Sequence, residues 1–232
     1  MDELIQGARR FRDEVFPRQR GLFNQLAVEG QAPKTLVISC ADSRVVPEMI
    51  TQSAPGQIFV CRNVGNIVPP TGQGVGGVSS VIEYAVAALG VTDIVVCGHS
   101  GCGAMKALSQ PDSLEGMPNV AAWLRHADAA RQVVAEAYPA GMDGDAHVRS
   151  LALENVAAQL GHLRTHPAVA ARIASGAVRL HGWFFDIASG EVLALDGELG
   201  RFVKLADAER LPVALSPARR AVAAEAQPLA AE

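Results

Sequence analysis

Two cysteines and a histidine are the residues of this chain best suited to metal chemistry. Cys40 closes the apolar run Thr35-Leu36-Val37-Ile38-Ser39-Cys40, and His99 and Cys102 stand three apart in Cys97-Gly98-His99-Ser100-Gly101-Cys102-Gly103. Two thiolates and an imidazole suit Zn²⁺ in a tetrahedral field, and three protein ligands leave the fourth position open for water or substrate, as catalysis requires. Spacing alone leaves a second reading open, because a His and two Cys among apolar strands also serve as ordinary core residues. A third reading adds Cys97 to Cys40, His99 and Cys102 and closes a Cys3His structural zinc site in a module without catalysis. Cys97 separates these readings: it ends an apolar run and, like Cys61, is expected to be buried away from a metal.

An acid and a base follow the first cysteine directly, Asp42 and Arg44 in Cys40-Ala41-Asp42-Ser43-Arg44. On a surface such a pair contributes little. Leaving the end of a buried strand toward a metal, Asp42 can complete the zinc shell or hydrogen-bond a bound water while Arg44 restrains the carboxylate. Two other motifs carry less. Gly72-Gln73-Gly74-Val75-Gly76-Gly77 satisfies the dinucleotide fingerprint, but Val68-Pro69-Pro70-Thr71 stands where a strand should lead into the glycines. Gly98-His99-Ser100-Gly101-Cys102 resembles a nucleophile elbow with Cys102 in place of the last glycine. His126, His147, His162 and His166 are available as proton shuttles, against the commoner surface and capping roles.

Strands must deliver these residues to one place. Thr35 to Cys40, Ile58 to Arg62 and Asp93 to Cys97 are short apolar runs that read as buried strands. Helical segments at Val78 to Leu89 and Gly103 to Leu108 alternate with them, which predicts an α/β fold with a mostly parallel sheet, strand order 2-1-3-4, flanked by helices. Ligands in such sheets sit beyond the carboxyl ends of strands where the order reverses, so neighbouring first and third strands bring Cys40 and the His99-Cys102 pair to one crevice. Asp2 to Ala27 reads as two short amphipathic helices broken at Pro17, an N-terminal helical arm over about residues 1–30. Later helices are expected at Val120 to Ala137, at Val148 to Leu163, and from His166-Pro167 through Ile173. Ala177 to Ile187 and Glu191 to Asp196, joined by Ala188-Ser189-Gly190, read as a hairpin that adds an antiparallel edge strand. Residues 1–210 are expected to form one domain, and the Ala- and Pro-rich stretch 211–232 a flexible tail.

Bulk composition narrows the classes further. A chain of 232 residues, 49% hydrophobic and 19% charged, buries a full core. A formal charge of −4 with scattered Lys and Arg argues against nucleic acid as a partner. The start lacks a basic segment followed by an apolar one, and no apolar run nears the roughly 20 residues that span a bilayer, so a soluble cytoplasmic protein without a membrane partner is expected. Four cysteines in such a chain point to metal or redox chemistry rather than a disulfide framework.

Cys40-Ala41-Asp42-Ser43-Arg44-Val45-Val46-Pro47-Glu48 and Gly98-His99-Ser100-Gly101-Cys102-Gly103-Ala104, with Arg62-Asn63-Val64-Gly65-Asn66 between them, resemble the paired signatures of the β-class carbonic anhydrases. The similarity runs from the N-terminal helices to about Asp196 and includes His181-Gly182-Trp183. It implies one Zn²⁺ per chain on Cys40, His99 and Cys102, with Asp42 as a further ligand only in a closed state. It implies reversible hydration of CO2 to bicarbonate and a proton by attack of zinc-held hydroxide, with Asp42 and Arg44 as the orienting and gating dyad. Gln31, nine residues before Cys40, falls with Phe59, Val64 and Tyr84 where the plant-like branch places its substrate pocket, and Gly103 joins them as a substrate-binding position. The bicarbonate-inhibited branch carries a Trp and a Tyr where this chain has Val37 and Phe185, so a noncatalytic bicarbonate site is not expected. Trp123-Leu124-Arg125-His126-Ala127-Asp128 is similar to the bacterial cyanate-operon members. A homodimer or a higher even-numbered homo-oligomer is implied, with the N-terminal helices packing across the partner.

Overall fold

The computed structural model describes residues 1–73 and 76–208. The stretch read as a tail, 211–232, and Gly74 and Val75 of the glycine-rich motif lie outside the described residues. A six-stranded sheet runs β2-β1-β3-β4-β5-β6. The strands are β1 (Thr35–Cys40), β2 (Ile58–Asn63), β3 (Asp93–His99), β4 (Arg179–Phe185), β5 (Val192–Asp196) and β6 (Arg201–Lys204). The first four pair in parallel and the last two antiparallel. The expected order is met, with one strand more than the sequence reading: Arg201-Phe202-Val203-Lys204 is too short and too charged to stand out, and it forms because β5 offers it an edge.

Helices α4 (Gly77–Glu83), α8 (Gly144–Leu163) and α9 (Pro167–Ala174) bury the main core, in which Leu36, Ile38, Ile94 and Val96 of the sheet meet Ile82, Val156, Leu160 and Val169. Helix α8 lies so close to the sheet that a Cβ on Gly98 would come within 2.8 Å of Val156, and one on Gly182 within 2.9 Å of it. The two glycines let the helix seat directly over the carboxyl end of β3. A second cluster joins Cys40, Cys102 and Met105 to Leu124, Val134 and Leu151, tying α5 (Gly103–Ser109), α6 (Pro118–Leu124) and α7 (Asp128–Ala137) around the strand ends. The segment expected as one helix from Val120 to Ala137 is therefore two, joined by a 3₁₀ turn at Arg125–Ala127.

The N-terminal arm is helical throughout, α1 (Asp2–Arg10) running through a π turn at Phe11–Val15 into α2 (Phe16–Glu29). Pro17 does not break it. The wider turn ends just before it, and Pro17 sits in the first turn of α2, where its missing N–H removes no needed hydrogen bond. No residue of the arm is buried. Phe11, Phe16 and Phe23 stack on one another with centroids 5.5–6.3 Å apart, while Leu4, Ile5 and Val28 face outward. No helix among the described residues is long and apolar enough to cross a membrane. A five-residue helix, α3 (Pro47–Thr51), follows the Cys40 segment.

Candidate metal centre

Cys40 is the last residue of β1, His99 the last of β3, and Cys102 immediately precedes α5. Because β1 and β3 are neighbours in register, with Ser39 opposite Cys97, their ends release all three side chains into one crevice. Their ligand atoms lie within 4.8 Å of one another and all three residues are buried. The His99 Nδ1 lies 2.9 Å from the Ser100 carbonyl, which can only accept, so Nδ1 carries the proton and Nε2 presents its lone pair. That Nε2 is buried without a partner, an arrangement that costs free energy unless something binds there. A neutral imidazole and two thiols around one point fit a tetrahedral Zn²⁺.

The thiols are prepared for a cation. The Cys102 thiol beside Cys40 draws the Cys40 thiol well below its ordinary value, and the Gly65 N–H adds to this. Cys102 is pushed up in return, by the Cys40 thiolate it serves and by burial. Cys97 stands outside the group. It packs with Val37 and Val95, its S–H faces the Gly98 carbonyl, and burial pushes its thiol up to about 12. Cys61 is buried in the main core. Val37 and Phe185 belong to the same small apolar cluster as Cys97.

Asp42 closes the crevice from the side of the loop after β1. Its Oδ2 is 3.9 Å from His99 Nε2, near the separation of two ligands on one ion. Arg44 grips the carboxylate in a two-pronged contact, Nε to Oδ1 at 2.9 Å and Nη2 to Oδ2 at 2.8 Å, and its backbone N–H adds a third bond to Oδ1. These bonds hold the Asp42 carboxyl well below the usual carboxylate range, chiefly through the Arg44 side chain. Arg44 Nη2 also donates to the Gly101 carbonyl, tying the loop after β1 to the loop after β3. Arg62 supports the same loop from β2, donating to the carbonyls of Cys40 and Asp42.

The remaining site residues divide by place. Val64 follows Asn63, the register partner of Cys40, and Gly103 follows Cys102, so both stand at the metal end of the sheet. Phe59 pairs with Leu36, four residues back along β2, about 13 Å from that end at the usual strand rise. Tyr84 packs on it with ring centroids 6.0 Å apart and is 51% exposed. Gln31 precedes the amino end of β1 and is exposed. Within one chain, Gln31, Phe59 and Tyr84 therefore lie at the opposite end of the sheet from the metal group. Of the candidate shuttles, His162 and His166 face the Val68 and Pro69 carbonyls, and the Ser100 hydroxyl accepts from the Ile187 N–H.

Sequence reading passed over Asn155 and Gln159. Asn155 Nδ2 donates to the Gly65 carbonyl at 2.9 Å and Gln159 Nε2 to Asn155 Oδ1 at 2.9 Å, both fully buried. Their signal was present: two amides four residues apart on the apolar face of α8, which need partners once buried.

A family model described as "Carbonic anhydrase" matches residues 35–192. A carbonic anhydrase of Pseudomonas aeruginosa is 52% identical over 207 residues, 89% of this chain and 93% of its own length. Among solved structures, the β-carbonic anhydrase CcaA superposes with a TM-score of 0.88 at 44% identity, covering 94% of this chain and 96% of that one. One of two tetrameric β-carbonic anhydrases from the filamentous ascomycete Sordaria macrospora superposes with a TM-score of 0.76 at 34% identity, covering 87% and 98%.

Proposed function

The chain belongs to the β-class carbonic anhydrases, zinc enzymes that interconvert CO2 and bicarbonate, and we propose that Cys40, His99 and Cys102 hold its catalytic ion, one per chain. The observation that carries this assignment is the buried, unpartnered Nε2 of His99 in a group with two buried cysteines whose ligand atoms lie within 4.8 Å of one another. Bound there, Zn²⁺ supplies the Lewis acidity that lets a water ionise near neutral pH and attack CO2. Asp42, an acceptor only when ionised, would take a hydrogen bond from the attacking water and so aim it, or would itself join Cys40, His99 and Cys102 in holding the ion in a closed state. Arg44 keeps the carboxylate ionised and stationary. Val64 lines the approach with apolar surface suited to CO2, and Gly103 leaves room beside Cys102 for substrate.

Gln31, Phe59 and Tyr84 complete the pocket from a second subunit: Gln31 donates to a bicarbonate oxygen, and the two rings form the apolar wall. Distance supports this reading, since their own metal group is at the far end of the sheet. The arm supports it too, because about thirty residues with no buried side chain and several outward apolar ones need a partner to cover them. The working unit is accordingly a homodimer or a higher even-numbered assembly. Residues 1 to about 210 act as one domain, and four unpaired cysteines suit the reducing cytoplasm.

One preparation assayed for zinc per chain and for CO2 hydration by stopped flow tests the function, and metal without hydration would sink it. Mixing subunits tests the shared pocket. A Cys40→Ser chain and a Tyr84→Ala chain, each impaired alone, should regain activity together, because half of the mixed dimers' sites are then intact. No recovery in a verified heterodimer would return these residues to their own subunit.

A further inference from the structure

The peptide between Val64 and Gly65 is held at both of its polar atoms. Its N–H, on Gly65, points at the Cys40 Sγ at 3.4 Å. Its carbonyl, on Val64, accepts the indole N–H of Trp123 at 2.8 Å, a contact between residues 59 positions apart. Hydrogen bonds in series through one peptide strengthen each other, because density drawn toward the carbonyl oxygen makes the N–H a better donor. Val64 is 43% exposed, so water was free to satisfy that carbonyl. An indole fixed on α6 does something water does not: it sets the direction of the peptide.

The turn needs such fixing. Gly65 and Asn66 both occupy the left-handed region, at φ of 79° and 48°, an unusual pair for which only the first residue is a glycine. The Gly65 carbonyl is held from the opposite side by Asn155, which Gln159 orients in turn. A Cβ on Gly65 would stand 3.0 Å from the Ala104 Cβ, so this turn presses against the start of α5 next to Cys102. Trp123 thus holds the peptide that donates to the Cys40 sulfur, and Asn155 holds the next one, so the turn is fixed on both sides of Gly65.

We propose that Trp123 is a positioning residue of the metal centre, whose indole N–H, acting through the Val64–Gly65 peptide, maintains the hydrogen bond to Cys40 and thereby tempers the donor strength of that thiolate toward the ion. A sulfur lone pair stabilised by a hydrogen bond gives less charge to the metal, which stays the stronger Lewis acid. Packing alone is the rival explanation, because Trp123 also contacts the cluster around Leu124 and Met105 and meets His126 edge-on at 5.7 Å between ring centroids.

The inference rests on the proposed ligation by Cys40, and the two can fail separately. In the full-length protein loaded with Co²⁺, the thiolate-to-cobalt charge-transfer band reports the sulfur directly. Cys40→Ser must weaken that band; if it does not, the ligand assignment fails before Trp123 is tested. Trp123→Phe removes the N–H, and incorporation of 3-benzothienylalanine at position 123 replaces the N–H with sulfur at nearly unchanged ring size. Both should move the band to longer wavelength at one cobalt per chain, the second with an unchanged melting temperature; loss of cobalt from the folded benzothienyl protein would contradict a strengthened thiolate donor and overturn the proposal. An unmoved band in the benzothienyl protein overturns the proposal, and a shift confined to Trp123→Phe assigns the effect to packing. If the Phe variant fails to fold, the benzothienyl protein decides alone.

Discussion

Exchanging Arg44 for glutamine separates the metal site from its orienting dyad. The change removes two charge-assisted bonds to Asp42 and the link to the Gly101 carbonyl, and keeps the backbone N–H bond to Oδ1. Bonds of this kind contribute about 1.5–3 kcal/mol each when shielded. Here the Arg44 side chain is 53% exposed and that of Asp42 17%, so water replaces much of what is lost and roughly 1–2 kcal/mol remains in the placement of the carboxylate. At about 1.4 kcal/mol per decade, kcat/KM should fall by roughly 5- to 30-fold. Zinc should stay at one per chain, because no ligand is touched. The sign of the pH effect follows from the depressed Asp42 carboxyl. In the parent it stays ionised as pH falls through the ordinary carboxylate range, and without Arg44 it takes up a proton there, so the deficit of the variant should widen toward acid. Stopped-flow CO2 hydration across pH, with zinc measured on the same sample, reads both effects. A variant that keeps its zinc and stays within about twofold of the parent throughout would refute the dyad.

Four further outcomes follow from the same geometry. Cys40→Ser, Cys102→Ser and His99→Ala should each lose most of their zinc on dialysis, whereas Cys97→Ser should keep it, and metal loss from the Cys97 variant would bring back the Cys3His structural site. Gly65→Ala should destabilise the fold by about 2–3 kcal/mol, from the left-handed φ and the approach to Ala104, seen as a melting temperature lower by roughly 4–12 °C. Activity of the parent should rise from neutral to alkaline pH, since two thiolates neutralise the ion and leave its water less acidic than three imidazoles would; a flat profile would contradict this. Burial of Asp93 works against its ionisation, yet hydrogen bonds from Arg179, His181 and Thr92 outweigh it and lower the carboxyl. Its stabilising contribution is therefore full above the unfolded value near ~3.9 and lost as pH falls through the lower folded one. Asp93→Asn should lower stability at neutral pH by about 1–3 kcal/mol and make acid unfolding less steep, as chemical denaturation at several pH values would show.

Much of the centre was legible because its parts are local. Cys40 ends one short apolar run and His99 follows another by two residues, and a parallel sheet obliges those ends to face one crevice; Asp42 and Arg44 are two apart and near enough to pair. Elements without strong local character were harder to see. The four-residue β6 forms only against β5, and the 3₁₀ turn at Arg125–Ala127 interrupts an otherwise continuous helical pattern at a place where the sequence carries no glycine or proline to mark it.

The sequence by itself determined the candidate donors, the acid and base beside them and the strands that carry them, because residue type and short-range spacing decide what an ion can bind and where a strand ends. Only the tertiary structure decided which thiols converge and which stay in the core, since Cys97 and His99 are two residues apart and yet only His99 joins Cys40 and Cys102. It alone brought Trp123 and Asn155, distant in the chain, onto the peptides around Gly65. And it alone put Phe59 and Tyr84 at the far end of the sheet from their own metal group, a separation that register and strand rise impose and that no motif records.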